Sequence, residues 1–432
     1  MKGDDIQMNV YDIKRELSNI DLKVLYNIYM YRCLSLNQIY TNFYANKYKF
    51  NEYIDTVINK LKKFNLIEEV LFNSSSVALF LTKTGIDIIK EVFDLDTNII
   101  DTNKNIIKRG YYRAYELKML PRLIPHQIYL NQFALDFANL YNHANLKQAW
   151  NYYDEKYVSQ YNVIRPDGLI RIKDMDFFLE LDMASESVAQ LEEKWTHYRK
   201  FLNSREFLEN DRKILVFFIL ENTNNPEKRK QIIKKTANGI SDLIKNNFDI
   251  YIGTREELLR KIFLEIIPNE EFNNKQLEIL RTILKAKNFK VDKAYSLKKA
   301  LNDTEYMYYM RMLDENNNIV IKNNKVQEFL IDYYDGSSMS IFNKWIYFNK
   351  NNAYFNNVYK RDIRLIIICN NISNLKADKT LLNIYNDENI YFTTLEDLKN
   401  KEHLHEALYQ IDNMNNLFSF FNENLNTRDY KE

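Results

Sequence analysis

The sequence predicts a multi-domain α/β chain: a small helical head that carries a β-hairpin, followed by two α/β cores in tandem. Three observations predict it. Residues 19–93 pass from helical apolar spacing to two short alternating runs and back to a helix. Residues 125–266 alternate apolar strand runs with amphipathic segments, the pattern of a layered α/β core. Residues 269–421 repeat that alternation. A chain of 432 residues exceeds one ordinary core, so about two or three domains are expected. The expected boundaries give domains at 1–110, 111–267 and 268–432.

Composition narrows the class. Hydrophobic residues at 46% and charged residues at 28% give a globular balance. A net charge of +1 means that any basic, nucleic-acid-binding surface must be local. Seven Gly and five Pro argue against long flexible linkers. Cys33 and Cys369 stand far apart without ligand spacing, which suits reduced thiols. The polar start and the lack of an apolar run of about eighteen residues predict neither signal peptide nor membrane span. A cytoplasmic protein with no membrane partner is expected.

In the head, Ile20, Val24, Leu25, Ile28 and Tyr29 recur at helical spacing from Asn19 to Tyr31, with Asp21 as cap. Leu36, Ile39, Tyr40 and Phe43 mark a second helix. Ile54, Val57, Ile58, Leu61 and Phe64 mark a third, from about Asn51 to Phe64. Residues 66–72 and 77–81 flank the turn Asn73-Ser74-Ser75-Ser76 and read as a hairpin; Thr82 to Gly85 opens a helix ending near Phe93. Three helices and then a hairpin is the order of a winged helix-turn-helix. Such a module lays its third helix in the major groove and its wing along the backbone. The outward face of helix three offers Thr56, Asn59, Lys60 and Lys63, and Lys47 and Lys49 precede it to grip phosphates. Double-stranded DNA is the expected partner. Winged helices also dock proteins, and that reading stands beside the first.

The first core begins after a polar connector from Asp94 to Arg109. Ile128, Tyr129, Phe133, Phe137 and Leu140 give a helix from Pro125 to Leu140 its buried stripe. A strand follows at Lys147 to Tyr153. Leu169 to Ile172 and Phe177 to Leu181 form an antiparallel hairpin about Lys173-Asp174. Ser185 or Glu186 opens a helix with Val188, Leu191, Trp195, Tyr198 and Leu202 inward. Lys213 to Leu220 is a continuous apolar run, hence a strand covered on both faces. Gln231 to Lys245 reads as helix, Phe248 to Gly253 as strand and Arg255 to Ile266 as helix.

Chemistry concentrates at two strand ends. Asp167 sits at the mouth of one strand; Glu180 and Asp182 sit at the end of the next. Converging carboxylates repel unless a cation lies between them, and Mg²⁺ takes oxygen ligands of this kind. A metal so held activates water and stabilises a phosphoryl transition state. The spacing suggests a metal-dependent phosphodiesterase. The plainer alternative makes Asp167 a turn cap before Gly168, with Glu180 and Asp182 paired to Arg165, Arg171 or Lys194.

The order of elements, with Pro166-Asp167 and Glu180-Leu181-Asp182, resembles the PD-(D/E)XK nuclease superfamily. More narrowly, Arg165-Pro166-Asp167, Phe178-Leu179-Glu180-Leu181-Asp182, Ser185-Glu186-Ser187 and the Lys194/Tyr198 pair resemble the replication-relaxation family of plasmids and other mobile elements. The resemblance covers residues 15 to 265 and implies a winged helix joined to this core. It implies that Asp167 and Glu180 ligate Mg²⁺, with the carbonyl of Leu181. The superfamily places Lys two residues after the Glu, and Asp182 stands there instead. That lysine stabilises phosphoryl charge. Lys194 shares a helix face with Leu191 and Tyr198 and is the candidate replacement. Asp167, Glu180, Asp182 and Lys194 are thus the candidate catalytic residues.

The last third repeats the plan. Glu328 to Asp332 echoes Phe177 to Asp182; Lys344-Trp345 echoes Lys194-Trp195; Arg364 to Ile368 echoes Lys213 to Phe217; and Asn389 to Leu398 echoes Asp249 to Leu258. A duplicated, degenerate core is expected from Asn269 to Phe421. It lacks Pro-Asp and keeps only Asp332 beside Asp335, so no chemistry is expected there. Docking on the first core, DNA binding or a homodimer surface are its expected roles. His403-Leu404-His405 suggests a relaxase metal pair, but Lys401 to Ile411 reads as helix, which points the two imidazoles apart. His126, near a helix start in the first core, reads as a satisfied surface imidazole, with a DNA contact as the alternative. The expected function is sequence-specific DNA binding in replication or DNA processing of a mobile element, with Mg²⁺-dependent nicking. The alternatives are a non-catalytic initiator on a decayed nuclease fold, and a protein-interaction scaffold.

Overall fold

A computed structural model describes residues 10–43, 50–73, 76–95, 98–100, 106–158, 161–293, 305–358, 360–381, 389–411 and 417–419. It is a mixed α/β structure. The chain divides into two compact units, residues 1–183 with 203–211, and residues 184–202 with 212–432. The boundaries expected at 110/111 and 267/268 fall inside these units.

In the first unit, Ser18 caps the helix Asn19–Met30: its hydroxyl accepts from the Asp21 amide, while the Asp21 carboxylate accepts from the Ser18 amide. Asp21 is therefore the third residue of a reciprocal box and not the cap itself. The helices Leu36–Phe43 and Phe50–Lys63 follow. Ile54, Val57, Ile58 and Leu61 are buried along one face of the latter. Ile67–Leu71 and Val77–Leu81 pair antiparallel, from Ile67 opposite Leu81 to Leu71 opposite Val77. The two-residue strand Leu34–Ser35 joins the other side of Val77–Leu81. Thr82 caps the helix Lys83–Phe93. Inside that helix, a Cβ on Gly85 would lie 2.2 Å from the Leu66 carbonyl oxygen, so only glycine allows this close approach. The expected connector contains an antiparallel ribbon of Asn98–Ile100 and Ile106–Arg109.

The long helix Ile124–His143 buries Leu130, Phe133, Ala134, Phe137 and Tyr141. These positions share one face, which leaves Leu140, expected inside, 40% exposed. Ile128 and Tyr129 are half-buried on its flank. Asn131 fastens this helix to the head, donating to the carbonyls of Tyr31 at 3.0 Å and Cys33 at 2.7 Å. Gln38 donates to the Ile128 carbonyl at 2.8 Å. Strands Trp150–Asp154, Gly168–Ile172 and Met175–Asp182 pair antiparallel, with Asp154 opposite Gly168 and Gly168 opposite Leu179. Every residue of Met175–Asp182 is buried.

The second unit begins with the helix Val188–Leu202, where Leu191, Trp195, Tyr198 and Leu202 are buried. Val188, expected inward, is 50% exposed because the helix starts there and its first turn lies beyond the packed face. Strands Lys213–Leu220 and Phe248–Thr254 run parallel. The helix between them is Pro226–Ala237, capped by Asn225, and it tightens to a 3₁₀ segment over Asn238–Leu243. It starts earlier than the expected Gln231 because Pro226 suits a first turn. Arg255–Lys261 follows behind a Thr254 capping box and continues as a π-helical turn, Ile262–Ile266.

The same unit then runs through helix Asn269–Lys285 and antiparallel strands Phe289–Lys293, Tyr308–Met312 and Lys325–Tyr334. Helix Ser340–Val358 leads to Arg361–Cys369, parallel to Lys325–Tyr334, and helix Ile372–Leu381 leads to Ile390–Thr393, parallel in turn. The main elements from Ile124 to Thr254 follow the same order, helix, three antiparallel strands, helix, strand, helix, strand, with the short helices Glu155–Val158 and Arg205–Leu208 inserted there and the short strand Ile321–Lys322 inserted in the later stretch. Trp195 and Trp345 are both fully buried.

Within this unit, residues 335–340 lie along Phe248–Thr254. The Ile252 amide donates to the Ser337 carbonyl at 3.0 Å and the Met339 amide to the Ile250 carbonyl at 2.9 Å. Lys261 pairs with Asp335 at 2.6 Å, and Lys234 with Asp378 at 2.6 Å, both members of the latter pair being almost wholly buried. The expected helix Lys401 to Ile411 is helical only over Leu404–Ala407; Tyr409–Ile411 is a strand paired with Leu417–Ser419. His403 is the extended N-cap, so its ring stacks near-parallel on His405, 5.5 Å between centroids, and the two do not point apart.

Candidate functional site

The strand pair of the first unit sets the acids. Asp167 immediately precedes Gly168, whose partner is Leu179, so Asp167 and Glu180 occupy the same end of the hairpin. The Asp167 amide donates to the Leu179 carbonyl at 2.9 Å. Its carboxylate accepts from the Leu181 amide at 2.8 Å. Alternation along the strand puts Glu180 and Asp182 on one face. They are only 2% and 1% exposed, and both engage partners. Buried carboxylates persist only when compensated.

A residue set aside in the sequence joins this end. His126, in the first turn of the long helix, brings Nε2 within 3.2 Å of the Leu181 carbonyl oxygen and 3.5 Å of Asp167 Oδ2. An imidazole, a carboxylate and a main-chain carbonyl thus share one small volume, and both side chains keep partial exposure. The signal was the start of an amphipathic helix ahead of the acidic strands, but a lone histidine has no partner readable in sequence. Among the described residues no three His, Cys, Asp or Glu side chains form a metal-holding group. The cluster at Asp167 has two such side chains beside the Leu181 carbonyl oxygen. Oxygen donors and a neutral imidazole suit a hard or borderline divalent cation.

Arg171 forms a bidentate pair with the wholly buried Asp176, at 2.9 and 2.8 Å. That pairing raises the Arg171 guanidinium above its usual range. Lys194 belongs to the second unit. Its Nζ lies 3.1 Å from Glu186 and 5.1 Å from the Phe218 ring centroid. In the later repeat Asp332, the counterpart of Asp182, pairs with Lys344 at 2.5 Å, and Glu328 of the same strand pairs with Arg311 and Arg361 at 3.0 and 2.5 Å.

In the head, Thr56, Asn59 and Lys63 are exposed along helix Phe50–Lys63. The Thr56 hydroxyl donates to the Glu52 carbonyl one turn back. Lys60 is drawn inward: its Nζ pairs with the buried Asp21 at 2.8 Å and donates to the Glu16 carbonyl at 2.6 Å. Lys47 and Lys49 lie outside the described residues. No described helix is long and apolar enough to cross a membrane.

These features define a mixed α/β protein with a carboxylate site at adjoining strand ends, joined to a small helical and hairpin head. Residues 25–216, which hold the head's main elements and the Asp167 site, match the model of the replication-relaxation family. The family points to replication or relaxation of plasmids and other mobile elements. Comparison with curated proteins gave no match, and comparison with solved structures gave none.

Proposed function

We propose that the chain is a DNA-binding protein of a mobile element that cleaves a phosphodiester at the Asp167 end of its strand pair. The observation that carries this reading is the cluster of Asp167, His126 and the Leu181 carbonyl within the family-matched region. The head is read as a winged helix-turn-helix. Its helix Phe50–Lys63 turns Thr56, Asn59 and Lys63 toward a duplex. Lys60 serves that fold through Asp21, which leaves Lys63 as the better phosphate contact.

Asp167, the Leu181 carbonyl and His126 would hold the cation, and Glu180 adds negative charge at the same strand end. A bound Mg²⁺ would supply an activated water and offset phosphoryl charge. The Leu181 amide fixes the Asp167 carboxylate, so its orientation is set before any ligand arrives. Lys194 remains the candidate for the lysine that the Asp182 position lacks. The core is read as PD-(D/E)XK-like, its later repeat as a degenerate copy with acids closed by Lys344, Arg311 and Arg361.

A second reading makes the first core a binding platform without chemistry. It is favoured by the same Leu181 amide, which already occupies one Asp167 oxygen. Nicking of supercoiled plasmid by the full chain in MgCl₂ or MnCl₂ separates the two. Loss of nicking in Asp167→Ala and Glu180→Ala, with salt-sensitive duplex binding kept, supports cleavage. Nicking by those variants at the wild-type rate would sink the site assignment.

A further inference from the structure

A cavity of about 460 Å³ lies in the first unit, between the head's hairpin, the start of helix Leu36–Phe43 and the long helix. Among the described residues no charged side chain lines it, which argues against a phosphate or carboxylate as the group seated inside. Phe72 and Tyr129 supply aromatic surfaces, Leu36 and Ile128 apolar ones, and Asn37 and Asn73 supply amides. Flat apolar walls beside uncharged donors and acceptors are what reads a nucleobase. Its faces stack while its edge hydrogen-bonds. The volume falls in the range of small-molecule sites.

Position adds to chemistry. Pro125, Ile128 and Tyr129 line the cavity, and His126 of the same helical turn reaches Asp167. Three residues along a helix advance about 5 Å. One nucleotide can therefore span from the cavity toward the acid cluster. We propose that this cavity receives an unpaired base of the DNA strand, leaving the adjoining phosphate toward His126 and Asp167. This rests on the DNA-binding reading above and specifies a single-stranded or locally opened substrate.

The test uses the full chain and fluorescence anisotropy with three probes: an oligothymidylate, the same backbone with central abasic sites, and a duplex. The wild type should bind the oligothymidylate about tenfold more tightly than the abasic strand. Tyr129→Ala and Asn37→Ala should each shrink that difference and leave duplex binding unchanged. Asn37 is exposed, so its variant keeps the fold in play even if an aromatic variant unfolds. Duplex binding together with equal affinity for the two single strands would overturn the cavity's role alone. Binding to none of the three probes would overturn the DNA reading and this proposal together.

Discussion

Asp335→Asn should remove about 2 kcal/mol of stability at neutral pH and almost none in strong acid. Burial alone would raise the Asp335 carboxyl. The Lys261 charge beside it, with hydrogen bonds from Lys261 and Ser337, outweighs that and holds it at about 2 against an ordinary 3.8. A shift of that size corresponds to roughly 2 kcal/mol of preference for the ionised form in the folded state. Because the folded carboxyl is the more acidic one, this stabilisation is complete above pH 3.8 and disappears as pH falls toward 2. Lys261 responds in the matching direction: burial pulls it down, but Asp335 and Glu265 raise it above its usual range. Urea unfolding of wild type and Asp335→Asn, followed by tryptophan fluorescence from pH 7 to pH 3, measures the gap. It should stay constant from pH 7 to about 5 and narrow below 4. A gap as wide at pH 3 as at pH 7, or none at pH 7, would show that the Lys261 pair does not contribute as argued.

Lys234→Met should cost about 3 kcal/mol, because it strands the buried Asp378 without its cation; adding Asp378→Leu should restore much of this, and chemical denaturation of both variants decides. Gly85→Ala should destabilise by roughly 1–3 kcal/mol through the clash with the Leu66 carbonyl, read as a lower melting temperature; an unchanged melt would mean that the helix start shifts freely. His126→Gln should weaken Mn²⁺ binding on the order of tenfold, measured by calorimetry on the full chain, and equal affinity would remove His126 from the cation site.

Much of the fold could be read from sequence wherever burial imposed a period. Lys213–Leu220 is apolar from Ile214 onward because both faces are covered there. The helix Phe50–Lys63 showed its stripe because one face is buried and the other exposed. Short paired elements were not readable. Leu34–Ser35 is too brief for a period and exists only because Val77–Leu81 offers it an edge. The ribbon of Asn98–Ile100 and Ile106–Arg109 likewise depends on its own cross-strand bonds. The run from Lys401 misled because Leu404, Leu408 and Ile411 fit helical spacing, yet strand pairing with Leu417–Ser419 claims its last residues.

The site divides the same way. Asp167 and Glu180 could be placed at one strand end from sequence because a tight hairpin fixes their register. His126 was missed because its partners lie 41 and 55 positions away, reached only when the long helix docks. Lys60 carried the right charge on the right helix, but Asp21 from another helix turns it inward. Side-chain identity gives the means of contact, and only packing decides which contact is made.

The strip of chain from Asp335 to Ser340 does more than join a strand to a helix. It closes the outer margin of Phe248–Thr254 through two main-chain bonds. A protein shortened to end before Asn269 would leave that ribbon's amides and carbonyls bare, and such a margin recruits whatever extended peptide is nearby. Expression trials that trim away the later repeat should therefore expect self-association, and a lysine or proline placed along Phe248–Thr254 is the natural remedy.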